Sequence, residues 1–343
     1  MQRKRLYPFE QVAFTGRFPA LAFARKGNPG QPLMVFITGG GILARIAYGA
    51  PENNERDFLA YWALKQGHSF LALSYPMEHP VFPSTHPGFT VQDWGAQSAE
   101  LIFRTIQAYE LPPQAIVWGW SMAGRIAVPL TKALKRHGIR VELFISLVGS
   151  PPAPNLLFSL KQAEISKKGL TVIPFSPYLK KNLRLQDQGD KPIVSDKLFR
   201  EEFLANFPIN LANAPLRYRR GRFVSDWMED LVDTEAFNYA ELPFFALISV
   251  ENSSDPRHAL MDKEVWGFYI AQALYQLIGE AALQKEHSWK QLYSLFKEGR
   301  LSCTVKGGHF FFVGEEGAKR TVNKTLQLLK NLKNCFACLS DCR

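Results

Sequence analysis

Ser121 stands at the centre of Val-Trp-Gly-Trp-Ser-Met-Ala-Gly, residues 117–124 of a 343-residue chain. An apolar, β-like run (114–118) precedes it and a helix-like run (122–136) follows, so the serine falls at a strand-to-helix turn. Small residues at 119 and 123 leave room for a tight turn at that point. A serine hydroxyl is a poor nucleophile until a base takes its proton and a third group orients that base. Without such partners the same string reads as an ordinary helix N-cap. The chemistry therefore depends on a histidine and a carboxylate elsewhere. Of seven histidines, His258, His287 and His309 lie well downstream of the serine.

The 117–124 string resembles the nucleophile elbow of the α/β-hydrolase superfamily, usually Gly-x-Ser-x-Gly. Here Gly119, Ser121 and Ala123 fill the pattern, with Gly124 one place later. The resemblance implies the order serine, acid, histidine along the chain. His309 sits in Cys-Thr-Val-Lys-Gly-Gly-His-Phe-Phe-Phe (303–312), which resembles the histidine-bearing loop after the last strand of such proteins. Glycines there allow the sharp turn that brings an imidazole back over a sheet edge. His309 is thus the expected base, and His258 and His287 read as surface or packing residues. The apolar run 242–250 suits a buried parallel strand and leads into Glu251-Asn252-Ser253-Ser254-Asp255-Pro256. Asp255 has the family's spacing for the acid. Glu251 is the alternative, and Asp-Pro is also a turn signal.

A strand-like run at 32–37 enters Thr38-Gly39-Gly40-Gly41, similar to the His-Gly-Gly-Gly loop of lipases and esterases, with threonine in place of the histidine. The resemblance implies an oxyanion hole from the backbone N–H groups of Met122, Gly40 and Gly41. A phosphate loop is excluded, because no Gly-Lys-Ser/Thr follows and no dinucleotide fingerprint is present.

These residues need a scaffold. Helix-like stretches at 55–66 and 93–109, and strand-like runs at 69–73, 114–118 and 141–147, alternate along the first half. That alternation predicts an α/β fold, a mainly parallel sheet with helices on both faces. The α/β-hydrolase resemblance covers roughly 15–150 and 240–330, giving a core of 1–150 and 241–343 and an inserted cap or lid at 151–240. The insertion opens on Ser150-Pro151-Pro152-Ala153-Pro154 and mixes apolar residues (Leu156, Leu157, Phe158, Leu160, Phe199, Phe203, Phe207) with basic ones. A packed subdomain with no substrate role is the alternative. A second insertion, between Asp255 and His309, carries helix-like stretches at 265–277 and 289–297.

The net charge is +10, from 41 basic and 31 acidic residues. Arg217-Tyr218-Arg219-Arg220-Gly221-Arg222 is the densest basic run. It reads as a solvated basic face, or as a site of attraction for an anionic substrate or membrane surface. No nucleic-acid-binding motif accompanies it. Cys335, Cys338 and Cys342 crowd the C-terminus at helical spacing. A buried or frayed tail, a weak zinc site and palmitoylation are the readings open to them. With no apolar run long enough to span a bilayer and no leader pattern, the expected location is cytoplasmic, with membrane association through those cysteines as the variant.

The resemblance implies a serine hydrolase that cleaves a carboxylic ester or thioester through an acyl-enzyme, needs no metal or organic cofactor, and accepts an apolar acyl group. The alternatives are an acyltransferase or thioesterase acting on a carrier-bound acyl group, and a non-catalytic binding protein on the same scaffold. An epoxide hydrolase of this fold would want aspartate at 121.

Overall fold

The computed structural model describes residues 6–153, 164–187, 191–212, 214, 216–279, 284–297 and 301–340. Eight strands form the central sheet: β1 (Glu10–Thr15), β2 (Phe18–Arg25), β3 (Leu33–Ile37), β4 (Phe70–Ser74), β5 (Gln114–Trp120), β6 (Arg140–Leu147), β7 (Phe245–Val250) and β8 (Ser302–Val305). Their spatial order is β1-β2-β4-β3-β5-β6-β7-β8. β1 and β2 pair antiparallel, and β2 is antiparallel to β4; from β4 to β8 every pairing is parallel.

Parallel strands need crossovers, and helices supply them. The principal helices are α1 (Leu59–Lys65), α2 (Val91–Tyr109), α3 (Ala127–Arg136), α4 (Pro177–Arg184), α5 (Trp227–Thr234), α6 (Asp262–Ile278), α7 (Glu286–Lys297) and α8 (Glu315–Ser340). β3, β4 and β7 are buried along their whole length, as strands covered on both faces must be. α2 starts on a Thr90/Asp93 capping box, and the Asp233 carboxylate accepts the N–H groups of Val91 and Gln92 at 3.0 Å each. An acidic group is favourable there because it meets the positive end of the helix dipole.

The expected mainly parallel α/β sheet is present. The β1–β2 hairpin, absent from the sequence reading, extends it by two antiparallel strands. The 55–66 stretch divides into a 3₁₀ turn (Glu55–Asp57) and α1, and the run after Ser121 begins as 3₁₀ helix (Ser121–Ile126) before α3.

The 151–240 segment does not stand apart from the sheet. Leu183, Val194, Phe199, Phe203, Phe207, Ile209 and Leu211 are buried in the same hydrophobic cluster as the strands. Leu156, Leu157, Phe158 and Leu160 lie outside the described residues. Arg217, placed in a solvated basic run by the sequence, is 1% exposed. Its guanidinium bonds Asp230 at 3.1 Å, the Asn210 carbonyl at 2.7 Å and Asp233, while Arg125 donates to the same Asp230 oxygen at 2.6 Å. A buried cation survives only when its charge is matched, and here two carboxylates and a carbonyl take its terminal N–H groups, while Nε has no hydrogen-bond partner among the described residues. The basic run is therefore split between one buried structural arginine and exposed neighbours.

Candidate functional site

Ser121 has φ of +52°, the left-handed region that a non-glycine residue enters only at a cost. Three contacts show why its neighbours are small. A Cβ on Gly119 would fall 2.5 Å from the Phe144 ring, one on Gly124 would strike the Ser150 carbonyl, and Ala123 is fully buried. Glycine is thus required at 124, and a methyl is accommodated at 123. The Ser150 N–H donates to the Ser121 carbonyl at 2.9 Å, closing the loop after β6 onto the elbow.

His309 and Asp255 come together across 54 residues: Nδ1 of His309 lies 2.8 Å from Oδ2 of Asp255. Asp255 is 2% exposed and Glu251, the alternative acid, is exposed. Burial by itself pushes the Asp255 carboxyl up. The His309 charge and hydrogen bond, aided by His258 and Arg257, outweigh it and hold the group below the usual carboxylate range. An ionised carboxylate on Nδ1 leaves Nε2 as the free face of the ring.

Trp120 couples the elbow to this pair. Its indole N–H donates to the His309 carbonyl at 3.0 Å, and its ring centroid lies 5.2 Å from that of His309. Phe310 and Phe312 pack on the same indole at 5.4 and 5.3 Å, so the aromatic trio after the histidine is an anchor. Such pairs add about 0.5–1.5 kcal/mol each beyond area burial. The Ser121 hydroxyl and the His309 ring are not hydrogen bonded to each other among the described residues; Trp120, next to the serine in the chain, ties the two through its bond to the His309 carbonyl.

The glycine loop faces the serine. A Cβ on Gly39 would lie 2.6 Å from the Ser121 Cβ, and one on Gly40 would lie 3.6 Å from the Met122 sulfur. Thr38, at the position of the histidine in the resembled motif, donates its hydroxyl to the Ile42 carbonyl at 2.5 Å and so closes the loop on itself. One expectation changes. The Gly41 N–H is given to the Tyr75 hydroxyl at 3.2 Å, and that hydroxyl donates to the Gly39 carbonyl at 3.0 Å. Gly41, at φ of +66°, thus turns its donor away from the serine, and Gly40 remains beside Met122. The cause is a fully buried tyrosine that must satisfy its own hydroxyl.

Sequence reading missed four residues of the site, three around the pair and Tyr75 under the glycine loop. Asn182 of α4, fully buried, accepts the His309 N–H at 2.9 Å and the Ser254 hydroxyl at 3.0 Å through one oxygen. A Cβ on Gly308 would collide with that oxygen, so the glycine before the histidine is set by Asn182. Tyr178, one turn earlier, is 47% exposed, and partial burial of its hydroxyl together with the nearby Asp255 charge raises its pKa above the ordinary tyrosine range. His258, read as a surface or packing histidine, is buried and stacks on His309 with centroids 5.1 Å apart. Tyr75 completes the set.

The 151–240 segment therefore contacts the glycine loop, the loops that carry Asp255 and His309, and the helix after Ser121. Besides Asn182, the Leu43 N–H donates to Phe203 and the Ala205 N–H to Gly41, at 2.8 Å each. Arg125, in the elbow helix, donates to the Leu211 carbonyl at 2.5 Å. Phe207 and Ile173 pack against Gly40 and Gly41. Cys335 and Cys338 fall on α8, whose last side chains lie with Cys342 outside the description. No helix of the described residues is long and apolar enough to cross a membrane.

The sheet order, its parallel half and the left-handed residue after β5 define an α/β-hydrolase fold. No family model matches the chain, and no curated protein matches it significantly. Among solved structures it is similar to a thioesterase domain from the curacin biosynthetic pathway, at 14% identity over 92% of this chain and 98% of that one, with a TM-score of 0.48. It is also similar to an arylesterase at 9% identity over 94% and 84%, TM-score 0.44. An esterase from the archaeon Pyrobaculum calidifontis matches at 13% identity over 91% and 79%, TM-score 0.43.

Proposed function

We propose that the chain is a serine hydrolase acting on a carboxylic ester or thioester with an apolar acyl group. The observation that carries this reading is the His309–Asp255 pair at 2.8 Å, in a sheet whose β5 ends on a left-handed serine. In the proposed reaction His309 takes the Ser121 hydroxyl proton at Nε2 as the serine oxygen attacks the acyl carbon. Asp255 stays ionised, fixes the ring through Nδ1 and stabilises the imidazolium. The N–H groups of Met122 and Gly40 hold the oxyanion, each contributing roughly 3–4 kcal/mol in a water-poor site. Collapse breaks the bond to the leaving group, which takes the proton from His309. Water, deprotonated by the same histidine, then releases the acid and restores the serine. The lean towards an apolar acyl group rests on Phe207, Ile173 and Met122 beside the glycine loop.

Fluorophosphonate labelling of the purified chain tests the reading. Labelling of the wild type that is lost in both Ser121→Ala and His309→Ala supports it. A folded wild type that fails to label with the site open to detergent or lipid refutes it.

A further inference from the structure

The serine chemistry leaves His258 without a task. It lies on the helical turn Arg257–Met261, immediately after the loop that carries Asp255. Its side chain is 9% exposed, and its ring stacks on that of His309 at an interplanar angle of 28°. Nδ1 of His258 lies 2.7 Å from Oδ2 of Asp262, yet off the line of a hydrogen bond, so neither atom is satisfied as a donor or acceptor. A buried imidazole nitrogen left in that condition is costly unless something else uses the ring.

One ligand atom each from Asp255, His258 and His309 lies within 4.8 Å of the other two. Two imidazoles and one carboxylate form a borderline donor set, suited to zinc; calcium and magnesium want more oxygens and fewer nitrogens. Ligands bound tetrahedrally at about 2.1 Å stand about 3.4 Å apart. Metal binding would draw the His258 ring in and open the 2.8 Å His309–Asp255 pair towards that spacing, by small rotations within this buried cluster.

We propose that Asp255, His258 and His309 form an inhibitory zinc site. The metal takes one lone pair from each residue, and any proton on a ligating nitrogen is released to solvent. No electron is transferred. With His309 ligated, the serine loses its base. Binding stands on these three residues alone; only the inhibitory consequence rests on the serine-hydrolase reading.

The test is zinc sulfate titration of the full-length chain by calorimetry and by competition with a chromogenic chelator. Cys335, Cys338 and Cys342 are changed to serine so that tail thiols cannot supply ligands. The expected result is one zinc per chain, with affinity lowered at least about tenfold by His258→Gln, the size seen even when only a supporting partner of a ligand is removed. Ser121→Ala should bind zinc like its parent, and cobalt in the parent should show visible tetrahedral bands that His258→Gln loses. Thermal melts verify that each variant is folded. Absence of saturable binding, or equal binding by folded His258→Gln, overturns the site. Zinc binding that depends on His258 but leaves fluorophosphonate labelling of Ser121 unchanged overturns the inhibition. Binding by a chain that never labels keeps the metal site and rejects the serine chemistry.

Discussion

The Asn182 side-chain oxygen accepts the backbone N–H of His309 at 2.9 Å, across 127 residues of sequence. The same oxygen takes the Ser254 hydroxyl, next to Asp255. A single buried amide from the 151–240 segment thus braces both loops of the His309–Asp255 pair. The 151–240 segment, tied in this way, is a structural part of the candidate site.

Asn182→Ala removes both contacts and leaves a buried N–H and a buried hydroxyl unmatched, at about 1–3 kcal/mol each. We expect a lower melting temperature and a kcat for ester hydrolysis reduced by up to about a hundredfold, since displacement of a reacting group by about 1 Å has that cost. KM should change little. Asn182→Asp keeps the acceptor oxygen and should recover part of the loss. Steady-state kinetics of the two variants against the wild type decide it.

Tyr75→Phe frees the Gly41 N–H and the Gly39 carbonyl together. The glycine loop then loses the bridge that fixes its curvature. Loss of about 1–2 kcal/mol of transition-state stabilisation, roughly fivefold to thirtyfold in kcat, is expected from one such hydrogen-bonded positioning group. A change confined to KM would place Tyr75 in substrate binding instead.

Ser121 occupies the left-handed region with a Cβ, at about 1–2 kcal/mol. Glycine relieves that strain but adds freedom to the unfolded chain. Ser121→Gly should therefore be more stable than Ser121→Ala by about 0.5–1 kcal/mol, with both inactive. Denaturant unfolding of the two variants measures the difference.

Asp255 has a carboxyl held below its ordinary value in the folded chain. As pH falls, the unfolded chain takes up that proton first. The stabilisation is therefore present above the ordinary value of about 3.9 and is lost as pH falls through the lower folded one. Between about pH 5 and pH 3, the gap in melting temperature between wild type and Asp255→Asn should narrow on acidification. A widening gap in that interval would assign the carboxyl a raised value.

Much of this was legible in the sequence because it is local. The Gly119–Gly124 string, the Thr38–Gly41 loop and the glycines before His309 each encode a turn within a few residues, and turn geometry restricts which residues fit. Asp255 could be separated from Glu251 only by seeing which carboxylate faces the imidazole. The rest depends on approaches between distant segments. Asn182 and Tyr178 are single polar residues on a short helix, with no pattern to mark them. Tyr75 redirects the Gly41 N–H through contact across 34 residues. Arg217 looked solvated because its partners, Asp230 and Asp233, come from a helix that folds back over it. The β1–β2 hairpin escaped for a related reason: the alternation that marks strands carries no statement of which strand they will join.

The central claim is that Ser121 carries the acyl group during turnover. Rapid quenching of the chain with a short-chain p-nitrophenyl ester, followed by peptide mass analysis, tests it directly. The account predicts a transient acyl adduct on the peptide containing Ser121, formed in a burst and absent from Ser121→Ala. Turnover that continues undiminished in Ser121→Ala, or an adduct on another residue, would contradict it.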